Sequence, residues 1–316
     1  MKFGIELLPN TSVNKIEKYA KLAEENGFHY VWVTDHYNNR NVYVVLSLIA
    51  KATTKVLIGT GVTNPYHMNP AVIASAIATI NEISNGRAIL GIGAGDKVTL
   101  ERIGINREKP LTRVKEAVQI IRELLAGKTV TFNGEIFKFN GAKLGFKADN
   151  VPIYIGAQGP KMLKLSAEIG DGVIINAAHP KDVELAMKYI DRRRIDIAVC
   201  SAFSIGEKAI ECVKPVVAFI VAGCPKELLE RHGINIEDAE KIKKLIAKGK
   251  WDEVYKAVKD EMVNVFSISG TPEEVIARIE ELKKLGIDQL IIGSPIGAKK
   301  NEAIKIIGEK IIPVFS

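Results

Sequence analysis

The residues able to do chemistry stand at the ends of short apolar runs. In Phe3-Gly4-Ile5-Glu6-Leu7-Leu8 the only charge is Glu6, near the end of the run. Strand alternation puts Phe3, Ile5 and Leu7 on one face and Gly4, Glu6 and Leu8 on the other. If the second face points inward, burial would raise the proton affinity of this carboxyl and make it a proton donor near neutral pH. A Glu paired with a Lys or Arg fits the same position, since single buried carboxylates are rare. A second run, Trp32-Val33-Thr34-Asp35-His36-Tyr37, ends in an acid and an imidazole. A structural Asp capping the next loop is the plain alternative.

Three glycine-rich segments follow other apolar runs. Gly59-Thr60-Gly61-Val62-Thr63-Asn64-Pro65 permits close backbone approach or unusual dihedrals, or marks a simple bulge. Gly91-Ile92-Gly93-Ala94-Gly95-Asp96 lacks the third glycine of a dinucleotide fingerprint at the needed spacing, and no helix starts at once. It reads instead as a glycine-lined wall beneath a flat ring, with Asp96 aimed at the pocket. In Gly156-Ala157-Gln158-Gly159-Pro160-Lys161, Pro160 suits the first position of a helix, whose free N–H groups would bind an anion, best a phosphate. Gly293-Ser294-Pro295 is a competing phosphate loop. The five His show no metal spacing. There is no Gly-x-Ser-x-Gly elbow, and no Cys at a strand end beside a His, so hydrolase chemistry has little support.

What must hold these residues is an alternation of strands and helices. Apolar strands are read at 3–8, 29–33, 55–60, 87–92, 151–155, 172–176, 195–204 and 290–292, separated by helical patterns that include 180–193. Eight such units predict a closed (β/α)8 barrel, a single domain over 1–316. Two insertions interrupt it: a hairpin near 129–148 and an irregular helical stretch near 225–266. A doubly wound open sheet fits eight units less well. Residues at the C-terminal ends of the strands are then the ones that meet at the site.

Composition bounds the rest. The 316 residues are 47% hydrophobic, 26% charged and 6% aromatic, which excludes a disordered chain. No apolar run reaches the roughly 20 residues that span a bilayer, and Glu6 stands where a signal peptide needs an apolar core. Three widely spaced Cys make neither a disulfide framework nor a zinc knuckle, so a reduced cytoplasmic protein is expected. The net charge of +7 comes from basic residues scattered among acidic ones, as on solvated helix faces, and no nucleic-acid motif accompanies it. Abundant Lys, Glu and Ile with scarce Gln lean toward a thermophilic source.

Taken together, Phe3 to Glu6, Trp32 to His36, Gly59 to Pro65, Gly91 to Asp96, Ile155 to Pro160 and Ala167 to Ile174 resemble the bacterial-luciferase-like (β/α)8 oxidoreductases. Within these, the chain is similar to the branch that uses the deazaflavin coenzyme F420, and most to the 5,10-methylenetetrahydromethanopterin reductases of methanogenic archaea. The resemblance implies F420 as a dissociable cosubstrate and a non-prolyl cis peptide at Gly61-Val62 that props its ring. It implies ring contacts from Thr63, Asn64, Gly95 and Asp96, with Asp35 and His36 at the ring's polar edge. It places the coenzyme phosphate at Gly159 and Pro160, and further coenzyme contacts at Gln158, Asn176 and Ala177. The implied reaction is hydride transfer to methylenetetrahydromethanopterin, with Glu6 as the acid and Asp96 as second choice or as a group that tunes Glu6. A homo-oligomer, dimer or tetramer, is expected, and no nucleic acid, membrane or metal. Another F420-dependent dehydrogenase, with His36 as base, is the main alternative. An FMN-dependent monooxygenase and a non-catalytic flavin-binding barrel are the others. In His67-Met68-Asn69-Pro70 the chain departs from many relatives, which carry an Arg before the His or Pro, so no phosphate role is carried to that loop.

Overall fold

The computed structural model describes residues 1–148, 150–190 and 195–316. Its strands are β1 Lys2–Leu7, β2 Tyr30–Val33, β3 Leu57–Thr60, β4 Ala88–Gly93, β5 Val130–Asn133, β6 Lys138–Ala142, β7 Ile153–Gly156, β8 Gly172–Asn176, β9 Asp196–Ile205, β10 Ser267–Gly270 and β11 Gln289–Ile296. The main sheet runs β10-β9-β11-β1-β2-β3-β4-β7-β8, and a β8–β9 pairing completes a ring of eight strands, with β10 added beside β9. The registered pairings in this sheet are parallel. The predicted (β/α)8 barrel is the fold observed. The sequence reading missed β10, whose four residues Ser-Ile-Ser-Gly are too short and too polar to register as a strand. The helix expected over 180–193 is observed at Pro180–Met187, and residues 191–193 of that expectation lie outside the described residues.

The chain forms two compact units, one of Gly4–Ile175 with Ala186–Ala198, the other of Met1–Phe3, Asn176–Leu185 and Val199–Ser316. In the second unit, the stretch expected as a helical insertion makes four helices, Lys226–Arg231, Ile236–Ala247, Trp251–Ala257 and Asp260–Phe266. They bury Leu229, Ile242, Val254 and Met262 with Val213, Val217 and Val221 of helix Ala209–Gly223. Here too lies Gly293-Ser294-Pro295. It is part of β11, and a Cβ on Gly293 would collide with the carbonyl of Ser201, so it is not an open phosphate loop.

In the first unit, helix starts follow local chemistry. Asn41 accepts from Tyr43 N and Val44 N, and Asn69 accepts from Ala71 N with Pro70 at the first helical position. The segment 129–148 holds the antiparallel pair β5–β6. Its turn is clamped by Glu116 of helix Pro110–Leu125, whose carboxylate accepts from the backbone N–H groups of Glu135, Ile136 and Phe137 at 2.7–3.0 Å.

At the start of β3 and β4, two ions are satisfied almost wholly by backbone. Glu24 accepts from the N–H groups of Thr54, Lys55 and Val56. Arg87 donates to the carbonyls of Ala50, Thr53, Val56 and Ser84 and to the Thr53 hydroxyl. Five bonds from one planar fork tie three chain segments together. Replacing Arg87 by Ala leaves those carbonyls without their donor. Chemical denaturation of R87A should show a loss of roughly 2–4 kcal/mol, with turnover per folded molecule unchanged.

Candidate active site

Facing on β1 follows from packing. Phe3, Ile5 and Leu7 are at most 1% exposed, and the Phe3 ring lies 6.0 Å from the ring of Phe315 in the last helix. That face looks out to the helices, so Gly4 and Glu6 look inward. Glu6 is partly buried and in register with Trp32, which is in register with Gly59. Trp32 stacks on Tyr30 at 6.1 Å and meets Tyr154 at 5.5 Å. These three aromatics form an apolar floor with Glu6 at its edge. Gly59 makes room for the backbone of β4 and for the indole: a Cβ there would stand 2.5 Å from Ile89 O and 3.1 Å from Trp32 Cζ3.

Above this floor the chain leaves β3 through a cis peptide at Gly61-Val62. Gly61 N donates to Val33 O at 2.7 Å. The Val62 isopropyl group enters a seat made by three glycines. A Cβ on Gly91, Gly93 or Gly156 would each stand 3.1 Å from a Val62 methyl. Gly91 and Gly93 therefore do not line a bare wall, as their spacing suggested; they receive a side chain from the neighbouring strand. Thr63 is then pinned by Thr63 N to Gly91 O and Gly93 N to Thr63 O, both 2.9 Å.

The side chain of Thr63 donates to Asp35 Oδ2 at 2.6 Å, and the same oxygen faces His67 Nε2 at 3.1 Å. The Asp35 side chain is 10% exposed and that of His67 23%. Tyr43 lies against this group. Burial pushes its hydroxyl well above the ordinary range, the Thr63 hydroxyl opposes this and the Asp35 charge adds to it. Asn64 is buried, and its Oδ1 accepts from Tyr66 N and His67 N at 3.1 and 3.4 Å. Gly95 has φ +67° and packs on Asn64, where a Cβ would stand 3.1 Å from Asn64 Cγ.

Asp96 is exposed and caps the short helix Lys97–Glu101, accepting from Thr99 N at 2.7 Å and Thr99 Oγ1 at 2.5 Å. Its slight burial pushes the carboxyl up. The two Thr99 hydrogen bonds outweigh this, aided by positive charge at His36 and Arg107, and hold it below the usual range. Such a carboxyl is an ionised cap and is ill suited to give up a proton near neutrality. Arg107, anchored by Nε to Ala94 O at 3.0 Å, escaped the sequence reading, as did His67 and Tyr43.

Gly156, in contact with Val62, opens the loop to helix Pro160–Ile169. Gln158, Gly159 and Pro160 are exposed. Gly159 caps the helix without a side-chain bond, and nothing lies within 4 Å of its Cβ position. The first turn thus presents N–H groups to open space. The structure brings Asp35, His36, Gly61, Val62, Thr63, Asn64, Gly95 and Asp96 together. Asn176 and Ala177 belong to the other compact unit, where Asn176 ends β8 exposed and Ala177 N donates to Cys200 O at 3.0 Å. Among the described residues no group of three or more His, Cys, Asp or Glu is placed to hold a metal ion, and no helix is long and apolar enough to cross a membrane.

Known proteins are similar to this chain over nearly its whole length. A 5,10-methylenetetrahydromethanopterin reductase of Archaeoglobus fulgidus is 57% identical, covering 99% of each chain. The solved coenzyme F420-dependent tetrahydromethanopterin reductase of Methanopyrus kandleri superposes with a TM-score of 0.95 at 42% identity, over 100% of this chain and 99% of that one. An F420-dependent secondary alcohol dehydrogenase, solved with an F420-acetone adduct, follows with a TM-score of 0.79 at 25% identity, over 99% and 98%. The family model described as luciferase-like monooxygenase matches residues 1–289, and the chain belongs to that family.

Proposed function

We propose that this protein is a coenzyme F420-dependent 5,10-methylenetetrahydromethanopterin reductase. The observation that carries the reading is the 57% identity, end to end, to an enzyme of that name. The residues present fit the coenzyme. The helix start at Gly159 and Pro160 is open and uncapped, which suits a phosphate. The bulge at Gly61-Val62, flanked by Thr63, Asn64 and Gly95, offers a flat ring a rigid backing. When bound, the reduced deazaflavin supplies a hydride.

The chain's own residues do the rest. A bridged methylene is a poor hydride acceptor until one of its ring nitrogens is protonated and it opens to an iminium cation. In this reading Glu6, on the inner face of β1 beside the aromatic floor, gives that proton, and its carboxylate then stabilises the cation. Asp96 keeps its charge as a helix cap. It shapes the pocket rim and adds a fixed negative charge beside His36 and Arg107. We assign the enzyme to the cytoplasm as a homo-oligomer. Association of like subunits is supported by Val44, Leu48 and Val72, exposed on helices Val42–Ala52 and Pro70–Ile83.

Two experiments test the assignment. Glu6→Gln should keep F420 binding but lower kcat about a hundredfold or more, whereas Asp96→Asn, which still caps the helix, should stay within about threefold of wild type. Steady-state kinetics of the anaerobic reaction decide; equal losses in the two variants would transfer the acid role away from Glu6. Gly159→Asp has room for its side chain and suits an N-cap, so melting temperature should hold or rise. Its carboxylate competes for the free N–H groups, and titration should show F420 binding weakened about tenfold.

A further inference from the structure

The loop His67-Met68-Asn69-Pro70 carries an imidazole that faces Asp35. We infer that His67 is a positioning residue for the F420 site, acting by holding the Asp35 carboxylate. The inference rests on the proposed function, because it takes Asp35 to lie at the edge of the coenzyme.

Four links form a closed circuit. His67 Nε2 faces Asp35 Oδ2 at 3.1 Å, and Thr63 Oγ1 donates to that oxygen at 2.6 Å. Thr63 is bonded through the chain to Asn64, whose Oδ1 accepts the backbone N–H of His67 at 3.4 Å. The circuit joins the exit of β2 to the exit of β3. The backbone of Thr63 is held independently by Gly91 and Gly93. What the circuit governs is therefore the Asp35 carboxylate and the hydroxyl that donates to it, not the path of the chain.

The burial explains why an imidazole is needed. Thr63 is 0% exposed, and the Asp35 side chain keeps only a tenth of its surface. A carboxylate so placed depends on donors from the protein. Thr63 gives one, and its single hydroxyl proton can serve only one acceptor. His67 gives the other, to the same oxygen. With that donor gone, Asp35 is drawn toward water and the Thr63 hydroxyl loses its fixed acceptor. The Tyr43 hydroxyl lies beside that of Thr63 on the buried side; it interacts with Asp35 through charge alone and gives that carboxylate no hydrogen bond. A donor to a charged acceptor is worth about a factor of ten or more in a binding constant.

The test compares His67→Leu, which fills the space without a donor, with His67→Gln, whose amide keeps one. If H67L does not fold, His67→Asn, too short to span to Asp35, takes its place. Titration with oxidised F420 should show H67L binding about tenfold more weakly, and H67Q within about threefold of wild type. KM for F420 should rise in parallel in H67L, while kcat and KM for the pterin change less than twofold. Equal affinity of H67L and wild type overturns the inference. So does an equal loss in H67L and H67Q, or a fall in melting temperature with unchanged affinity. Wild-type protein that binds no F420 overturns the functional reading itself, and is distinguished from these by the wild-type arm alone.

Discussion

The top of the inner face depends on admitting one valine. Val62 enters between β4 and β7 because Gly93 and Gly156 carry no side chains, a methyl on either standing 3.1 Å from it; at Gly91 a methyl would collide with the Thr60 carbonyl as well as meet Val62 at 3.1 Å. Three strand glycines are a real cost in chain entropy and lost packing. They are tolerated because the neighbouring positions are heavily buried: Leu90, Ile92 and Ile155 are 0% exposed on the helix-facing side. The same bulge sets the height of Thr63 and so the position of every polar group tied to it. Below, Tyr30, Trp32 and Tyr154 fill the width that the glycines leave. Bulk beneath and glycine above give a shallow apolar floor with a rigid step, which suits a planar ring.

Three carboxylates surround this step, and their surroundings separate their tasks. Asp96 is exposed and bonded twice to Thr99, which keeps it ionised. Asp35 is engaged as an acceptor by Thr63 and His67. Glu6 alone stands on the inner face of a strand, level with the indole of Trp32. The acid role proposed for Glu6 rests on this difference in setting, a strand position on the inner face, while the two loop residues build the frame around it.

The alternation of apolar runs and helical patterns was enough to read the barrel, since strands buried on both faces leave a plain signature. Strand parity put Glu6 on the face opposite Phe3 and Ile5 but left open which face was inward, and Pro160 marked the helix start. Other features left no local trace. The role of Gly91 and Gly93 depends on a valine thirty residues away, and spacing within one loop cannot reveal it. Glu116 sits in a helix among ordinary charges, yet it is buried because it clamps the 134–137 turn. His67 reads as a surface loop residue, and its partner Asp35 lies 32 positions earlier. Pairings of this kind follow from the fold and cannot be read before it.

The two ends of the first unit handle buried polarity differently, and the difference follows from what each end must do. At the strand starts, Arg87 and Glu24 are saturated by backbone groups that cannot move without unfolding. Such groups have no capacity left for a ligand and serve stability alone. At the strand ends, Asp35, Thr63 and His67 satisfy one another through side chains, and the N–H groups at Gly159 remain open. Side-chain partners can shift by a torsion, and open N–H groups can accept an anion. A single barrel can therefore be rigid where it is closed and receptive where the chemistry occurs, because Arg87 and Glu24 are held by backbone while Asp35 is held by the side chains of Thr63 and His67.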